Sequence, residues 1–260
     1  MKKAFILFAL CAFSSFSVVG QTQPQTQDKG LNGADKVLDR IQLPAEEEGG
    51  WSFGVGADLM SSYLWRGLQL NDGFSVLPNI YLDYEKGNFS FEANAYYERE
   101  LFKYKKTFDD LYHEGGVGLV FGYGAFTLSF NDYFDFSDGW GHAIEAGLGY
   151  TVSEKFPLCL EWYSFLWMPG YETKWDSYAQ VSYHLEVGDF TFTFAAGVMP
   201  FNTDYYGNYT GFNLSLLGAT AEYTFDLGRG FSLPLKGEIL YNNIDKKPYG
   251  ALTVSFYFDK

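Results

Sequence analysis

Cysteine is almost absent from this chain, which has two cysteines in 260 residues, Cys11 and Cys159. Cys11 lies in the opening stretch "MKKAFILFALCAFSSFSVVG", where two lysines precede an apolar segment. This pattern is typical of a secretory signal peptide, here residues 1–20, cleaved after Gly20. The mature chain would then keep Cys159 alone and form no intrachain disulfide, so its stability would depend on burial and on closure of the fold.

Long hydrophobic runs and a surplus of positive charge are also missing. After the leader, no segment approaches the run of about 18 apolar residues that a membrane-spanning helix needs. Aspartate and glutamate outnumber lysine and arginine by 32 to 18, and no basic stripe indicates binding to nucleic acid. An exported chain of this kind is either a soluble β-protein or a β-barrel in the bacterial outer membrane.

Aromatic residues are abundant and make up 20% of the chain. Membrane interfaces favour such rings because an amphipathic ring is stable at headgroup depth. From Trp51 onward, apolar and polar residues alternate with a period of two, which indicates strands. We predict twelve strands, over 51–66, 75–84, 89–99, 111–123, 125–135, 142–152, 157–167, 177–186, 190–200, 211–225, 231–241 and 250–258.

The links between these strands alternate in length. After the second strand every other link is short, for example "EKGN" at 85–88 and "VGD" at 187–189, whereas the links between them are long and irregular. Short turns on one rim and long loops on the other are typical of outer-membrane barrels. We therefore predict an all-β fold, a transmembrane antiparallel up-and-down β-barrel of about 12 strands over residues 51–260, with both termini on the periplasmic side.

Residues 21–50 differ from the rest because they are polar, with an acidic, glycine-ended segment "AEEEGG". We predict a periplasmic tether that includes a possible short helix around Val37 to Ile41. A plug or a docking element is the alternative for this segment.

The alternation assigns each side chain to the lipid face or to the lumen. Rings near strand ends are expected to form the aromatic girdles: Trp51, Tyr63, Trp65, Tyr84, Tyr97, Tyr123, Tyr150 and Trp162. The side chains expected to line the lumen are Asp58, Ser62, Arg66, Asp83, Glu92, Glu98, Glu114, Glu145, Glu161, His184, Glu186, Lys236 and Glu238.

The segment "DLMSSYLWRGLQLNDGFSVLPNIYLDY", residues 58–84, resembles the N-terminal hairpin of the TorF-type porins, an uncharacterised bacterial outer-membrane barrel family. The matching positions are Ser61, Tyr63, Arg66, Gly67, Pro78, Leu82, Asp83 and Tyr84. The resemblance covers about a tenth of the chain. It implies an outer-membrane channel and brings no known substrate.

Two interpretations of the charged lumen remain open. Carboxylates in a narrow aqueous tube attract cations, which favours a porin for small solutes. Alternatively, Arg66, Lys236 and His184 pair with these acids and fill a closed barrel, which would bind a ligand or partner or act as an envelope scaffold. We do not expect an enzyme, and an envelope-modifying barrel enzyme is the least favoured alternative, because no histidine stands in the H-x-S pairing of a barrel phospholipase.

The remaining expectations concern ligands and partners. No cofactor is predicted, and the metal assignment is unknown, with a weak candidate for calcium in Asp132, Asp135 and Asp138 at the outer rim. The expected partners are outer-membrane lipid, the barrel-assembly machinery and small solutes, with the chain acting as a monomer.

Overall fold

The computed structural model of the chain describes residues 49–102, 111–136, 141–153, 155–171, 175–206 and 209–259. The predicted signal peptide lies outside these ranges, as does the predicted tether apart from its last two residues. Within the described ranges, no helix is long and apolar enough to span a bilayer.

Twelve strands form a closed antiparallel barrel, in which each wall strand pairs with the next wall strand along the chain and the last pairs with the first. Two further short strands form a separate hairpin. The fold confirms the predicted class and the number of strands in the wall. The strands are β1 (Gly50–Met60), β2 (Tyr63–Trp65), β3 (Leu68–Asn71), β4 (Phe74–Lys86), β5 (Phe89–Phe102), β6 (His113–Tyr123), β7 (Phe126–Asp135), β8 (Gly141–Thr151), β9 (Leu158–Trp167), β10 (Ser177–Val187), β11 (Phe190–Met199), β12 (Asn213–Gly228), β13 (Phe231–Asn242) and β14 (Lys247–Asp259).

The barrel closes between β1 and β14, whose register runs from Gly54 opposite Asp259 to Met60 opposite Thr253. Closure matters because it leaves no wall strand with unpaired backbone groups along an edge. The outer face of the wall is apolar and exposed, as at Phe53, Ile80 and Leu119. A continuous apolar surface around a barrel is the surface that faces lipid.

Tyrosine rings pack over glycines on the inner face of neighbouring strands. A Cβ atom on Gly56 would lie 2.2 Å from the ring of Tyr257, and one on Gly197 would lie 2.0 Å from the hydroxyl of Tyr178. These contacts are too close for any side chain, so the glycines allow large rings to lie flat against the wall. On the inner face, bulky tyrosines of one strand thus lie against glycines of the next strand, where no side chain is in the way.

The two rims differ as the sequence predicted. Short turns join β4 to β5, β6 to β7, β10 to β11 and β12 to β13, and we call this end the short-turn rim. The longer connections, such as 61–73 and 200–212, leave the opposite end, which we call the loop rim. Gly124 and Gly188 adopt positive φ angles of 58° and 63° in the short turns, a conformation that glycine adopts without steric cost.

The predicted first strand, 51–66, is wrong at its far end. The wall strand β1 ends at Met60, and residues 61–73 turn into the barrel as an inward hairpin built from β2 and β3. Ser62 closes the base of this hairpin by donating a hydrogen bond from its hydroxyl to the carbonyl oxygen of Asn71 (2.8 Å). The period of two continues through the bend at Ser61 and Ser62, so alternation alone could not locate the end of the strand.

Candidate functional site: the inward hairpin and the lumen

The inward hairpin, residues 61–73, packs against both sides of the barrel interior. On one side, Leu64 packs in an apolar cluster with Leu216, Leu240 and Ala251. On the other side, Tyr63 and Trp65 belong to a larger cluster of buried rings and methionines contributed by the wall strands. Alternate residues of the hairpin therefore contact opposite sides of the barrel interior: Leu64 packs against one side, and Tyr63 and Trp65 pack against the other.

The tip of the hairpin is a tight turn at Arg66 and Gly67, which have positive φ angles of 49° and 88°. The carbonyl oxygen of Gly67 accepts a hydrogen bond from the side-chain amide of Asn242 (2.6 Å). A Cβ atom at Gly67 would lie only 2.7 Å from the backbone oxygen of Ser215. Both the turn conformation and the close approach to β12 thus require glycine at this position.

Arg66 forms a two-pronged ion pair with Glu145 of β8. Its Nη1 lies 2.5 Å from Oε1 and its Nη2 lies 2.8 Å from Oε2 of that carboxylate. Both side chains are completely buried. Glu145 also accepts a hydrogen bond from the Tyr133 hydroxyl (3.0 Å), and Arg66 donates one to the Tyr206 hydroxyl (2.7 Å). Such geometry compensates the cost of burying two charges, which is high for an unpaired ion.

Three aromatic rings surround the guanidinium of Arg66. Its central carbon lies 4.5 Å from the ring centre of Trp65, 4.2 Å from that of Tyr163 and 5.0 Å from that of Tyr178. A cation over a ring face is attracted by the quadrupole of the ring. Burial by itself would lower the pKa of Arg66, but the adjacent Glu145 carboxylate outweighs this effect and raises the pKa well above its ordinary value. Arg66 therefore carries its charge inside the barrel.

A second inward element comes from the connection between β11 and β12. Asp176 holds it, since one carboxylate oxygen accepts hydrogen bonds from the Thr203 hydroxyl (2.8 Å) and the Tyr205 amide (3.0 Å). This arrangement stacks Tyr206 on Trp65, with ring centres 5.7 Å apart and planes 19° apart. Burial raises the pKa of the Tyr206 hydroxyl above its ordinary value even though the Arg66 charge opposes the shift, so the phenol stays neutral.

Carboxylates of β5 and β6 fasten the base of the hairpin. Glu114 accepts hydrogen bonds from the hydroxyls of Tyr63 (2.9 Å), Tyr96 (3.0 Å) and Tyr112 (2.5 Å). Glu98 accepts one from the side-chain amide of Asn71 (2.7 Å). Glu98, Glu114 and Glu145 are thus partners of hairpin residues, rather than side chains along an unobstructed tube.

The rest of the inner wall is polar and holds more separated charges. The Asp58 carboxylate accepts a hydrogen bond from the Tyr257 hydroxyl (2.7 Å). Asp83 and Glu92 stand opposite each other on β4 and β5. The amine of Lys236 lies 4.0 Å from a carboxylate oxygen of Glu238, a distance at the limit of an ion pair.

Other predicted lumen residues lie on β9 and β10. Glu161 accepts hydrogen bonds from the Tyr163 hydroxyl (2.8 Å) and the Gln180 amide (3.1 Å). Nδ1 of His184 lies 2.9 Å from the Thr193 hydroxyl, and Glu186 is exposed near the short-turn rim. All thirteen predicted side chains belong to the inner wall or the hairpin, in two groups, one around the hairpin and one toward the short turns. Whether the second group lines an aqueous path stays a prediction.

The predicted aromatic girdles need a correction at two positions. Trp51, Tyr97, Tyr123, Tyr150 and Trp162 are exposed on the outer face. Tyr84 is partly exposed and lies with its ring centre 4.8 Å from that of Trp51. Tyr63 and Trp65, however, are buried inside the barrel at 2% and 5% exposure. They left the lipid face because the chain bends inward after Met60, which carries both rings into the cluster around Arg66.

The weak metal candidate is not assembled by the described residues. Asp132 faces outward from β7, and its carboxylate lies 3.3 Å from Nδ1 of His142. Asp135 ends β7 with its side chain outside the described part of the structure, and Asp138 lies outside the described residues altogether. Within those residues, no group of three or more His, Cys, Asp or Glu side chains is arranged to hold a metal ion.

Sequence reasoning missed the aromatic and amide partners of Arg66 and of the hairpin. Tyr163 and Tyr178 have the inward parity of their strands, so the alternation could have identified them as lumen rings. Tyr206, Asn71 and Asn242 lie in or next to irregular connections, where no period exists to assign a direction.

Comparisons with known proteins give limited similarity. No family model matches the chain, and no curated protein matches it. The resemblance to the TorF-type porins therefore stays a prediction. Among solved structures, KdgM porin is 6% identical, with 80% of this chain and 98% of that chain covered and a TM-score of 0.43.

Two other solved structures are similar at the same level. An outer membrane channel from Pseudomonas putida F1 is 9% identical, with 85% of this chain and 100% of that chain covered and a TM-score of 0.48. The toluene transporter TbuX of Ralstonia pickettii is 10% identical, with 81% and 89% covered and a TM-score of 0.38. We take no function from these similarities, and the fold rests on the strand pairing of the chain itself.

Proposed function

We propose that this chain is an outer-membrane β-barrel that passes small solutes, cations more readily than anions. The observation that carries the proposal is the charge of the inner wall. The predicted lumen set holds nine carboxylates against Arg66, His184 and Lys236, and Arg66 is already neutralised by Glu145. A narrow channel with low-dielectric walls and an excess of carboxylates concentrates cations and repels anions.

The inward hairpin would act as the constriction of this channel. It fills the interior near the loop rim with buried rings and the paired Arg66, so conduction requires the hairpin to shift or solutes to pass beside it. Toward the short-turn rim, the wall instead presents smaller polar groups such as Thr127, Ser129 and Asn131 together with Asp83 and Glu92. The proposed path is therefore acidic toward the short-turn rim and constricted by the hairpin at the loop rim.

Single-channel recording in a planar bilayer tests this function. Under a potassium chloride gradient, we expect conductance steps with a reversal potential near the potassium equilibrium potential. The double variant Asp83→Asn, Glu92→Gln should move the reversal potential toward zero, whereas Asp132→Asn, which removes an outward carboxylate, should leave it unchanged. A barrel that is folded, as judged by heat-modifiable gel migration, and never conducts would overturn the proposal.

A second candidate function is a closed barrel that binds a partner through its loops or acts as an envelope scaffold. The complete burial of Arg66 and Glu145 among rings favours it, because this packing resembles a protein core more than an aqueous constriction. Recording from Arg66→Ala separates the two functions. A channel narrowed by the hairpin should conduct more in this variant, whereas a closed barrel should stay silent in both forms.

The proposed location and partners follow from the outer face. Its exposed apolar residues and aromatic rings fit outer-membrane lipid, and insertion would depend on the barrel-assembly machinery. We propose that the protein acts as a monomer without enzymatic activity. Membrane fractionation tests the location, since recovery in the soluble periplasmic fraction would contradict it.

A further inference from the structure

The side chains around the Arg66 guanidinium come mainly from the wall of the barrel. Glu145 supplies the carboxylate that pairs with both Nη atoms, and two rings of β9 and β10 lie against the cation. The hairpin adds the ring of Trp65. The wall residues of this group come from four consecutive strands, β7 to β10. We call them the wall cage: Tyr133, Glu145, Tyr163 and Tyr178.

Hydrogen bonds among wall residues fix the orientation of the cage rings. The Tyr163 hydroxyl donates to a carboxylate oxygen of Glu161 (2.8 Å), and the Tyr178 hydroxyl donates to the side-chain oxygen of Gln180 (2.7 Å). The amide of Gln180 in turn donates to the other carboxylate oxygen of Glu161 (3.1 Å). The wall therefore positions both rings by contacts of its own, as a preorganised binding site requires.

The geometry of the wall cage matches a guanidinium group better than an ammonium group. The two carboxylate oxygens of Glu145 accept hydrogen bonds from two different nitrogens, which a planar guanidinium provides and a single ammonium nitrogen does not. The rings of Tyr163 and Tyr178 lie 4.2 Å and 5.0 Å from the central carbon, where they attract a cation. All of these contacts are made to the guanidinium itself, so a separate guanidinium compound can make them too.

We propose that the wall cage is a binding site for the guanidinium group of a small solute, and that Arg66 occupies it as a tethered substitute. This inference rests on the proposed channel function and names the class of cation that the interior recognises. When the hairpin withdraws Arg66, the buried Glu145 carboxylate loses its counter-charge, and a guanidinium-bearing solute restores the pair. The solute competes with a tethered group whose effective concentration is on the order of millimolar, so Arg66 keeps the cage closed to dilute solutes.

Binding of small cations to the Arg66→Ala variant of the full chain tests the proposal. The probes are methylguanidinium and methylammonium, which carry the same charge. The readout is the midpoint temperature of unfolding in detergent, followed by heat-modifiable gel migration. We expect methylguanidinium to raise this midpoint and to bind about tenfold more tightly than methylammonium, because it forms a second charged hydrogen bond with Glu145. The unmodified protein, whose cage is occupied, should show no shift at the same concentrations.

The matched control is the double variant Arg66→Ala, Glu145→Gln. It keeps the rings of the wall cage but removes the carboxylate, so methylguanidinium should no longer raise the midpoint more than methylammonium does. If Arg66→Ala does not fold by itself, the yield of heat-modifiable barrel after refolding with each cation replaces the midpoint temperature. The same order of the two cations is expected in that measurement.

Each of three results would overturn the proposal. Equal shifts with the two cations in Arg66→Ala, or no shift with either, would show that the wall cage does not recognise guanidinium. An unchanged preference in the double variant would show that Glu145 does not bind the solute. An equal shift in the unmodified protein would place the binding elsewhere. None of these measurements depends on conductance, so a failure of the wall cage is distinguishable from a failure of the proposed channel.

Discussion

The two ends of the barrel interior are built from the same strands, but charged side chains are paired with opposite charges at one end and stand beside like charges at the other. Near the loop rim, Arg66 meets Glu145 in a dry set of rings, and both charges are fully paired. Toward the short-turn rim, Asp83 and Glu92 face each other as like charges across neighbouring strands. Like charges directly opposite each other destabilise a sheet unless water or ions separate them. The packed end therefore neutralises its charges within the protein, whereas the other end places two carboxylates side by side, the arrangement on which the proposed attraction of cations depends.

The largest loss of stability at the loop-rim end is expected when the carboxylate that neutralises Arg66 is removed. We expect Glu145→Ala to lower the free energy of unfolding by about 3–5 kcal/mol, since it leaves a buried guanidinium without a counter-charge. Denaturant unfolding followed by heat-modifiable gel migration measures the change. The double variant Arg66→Met, Glu145→Leu should recover most of the loss. If Glu145→Ala were as stable as the unmodified protein, the ion pair would not hold the hairpin.

A second change acts on the backbone of the hairpin tip. Gly67 has a φ angle of 88°, and a Cβ atom at this position would lie close to the backbone oxygen of Ser215. We therefore expect Gly67→Ala to lower the free energy of unfolding by about 1–3 kcal/mol and to speed proteolysis of residues 61–73. The control is Gly124→Ala, because Gly124 also has a positive φ but a Cβ atom there would contact nothing. Its loss of stability therefore measures the cost of the backbone conformation alone. Equal losses in the two variants would show that contact with β12 contributes nothing.

A smaller effect is expected where one hydrogen bond to Arg66 is removed. Tyr206→Phe deletes the acceptor at 2.7 Å but keeps the ring stacked on Trp65, so the expected loss of stability is about 1 kcal/mol. The same unfolding assay applies, with Tyr241→Phe on the exposed outer face as the control. A loss as large as that of Glu145→Ala would mean that Tyr206, rather than Glu145, stabilises the guanidinium.

The smallest effect on stability is expected at Lys236, whose amine lies 4.0 Å from a carboxylate oxygen of Glu238, at the limit of an ion pair. Lys236 is buried in the inner wall, and Lys236→Gln keeps a polar head of similar reach, so we expect the free energy of unfolding to fall by less than about 1 kcal/mol. The same variant should raise the ratio of cation to anion permeability on the order of twofold, because it removes a positive charge from the proposed lumen. Reversal potentials measure this ratio, and Lys155→Gln in a turn at the short-turn rim serves as the control. A shift toward anions would contradict the proposed selectivity.

The strands of the wall could be predicted from the sequence wherever apolar and polar residues alternate with a period of two. Alternation from Phe89 to Tyr97 or from Ser177 to Glu186 reports strand direction and face at once, because the wall strands are exposed to lipid on one side only. It failed at Tyr63 and Trp65, where two rings keep the expected spacing while the backbone has already left the wall. Alternation reports local orientation, whereas the inward course of 61–73 depends on partners far away in the chain, such as Glu145 and Asn242.

The ion pair of the hairpin also constrains the order of assembly. Arg66 meets Glu145 79 residues later in the chain and Tyr206 140 residues later. Glu145 belongs to the sixth wall strand, and Tyr206 follows the ninth. The buried contacts of Arg66 can therefore form only after β8 and the connection between β11 and β12 are both in place. Since β14 pairs with β1 to close the ring, the finished wall encloses a hairpin whose partners come from strands far along the chain, so a truncation that removes either partner would leave the hairpin tip without its anchor.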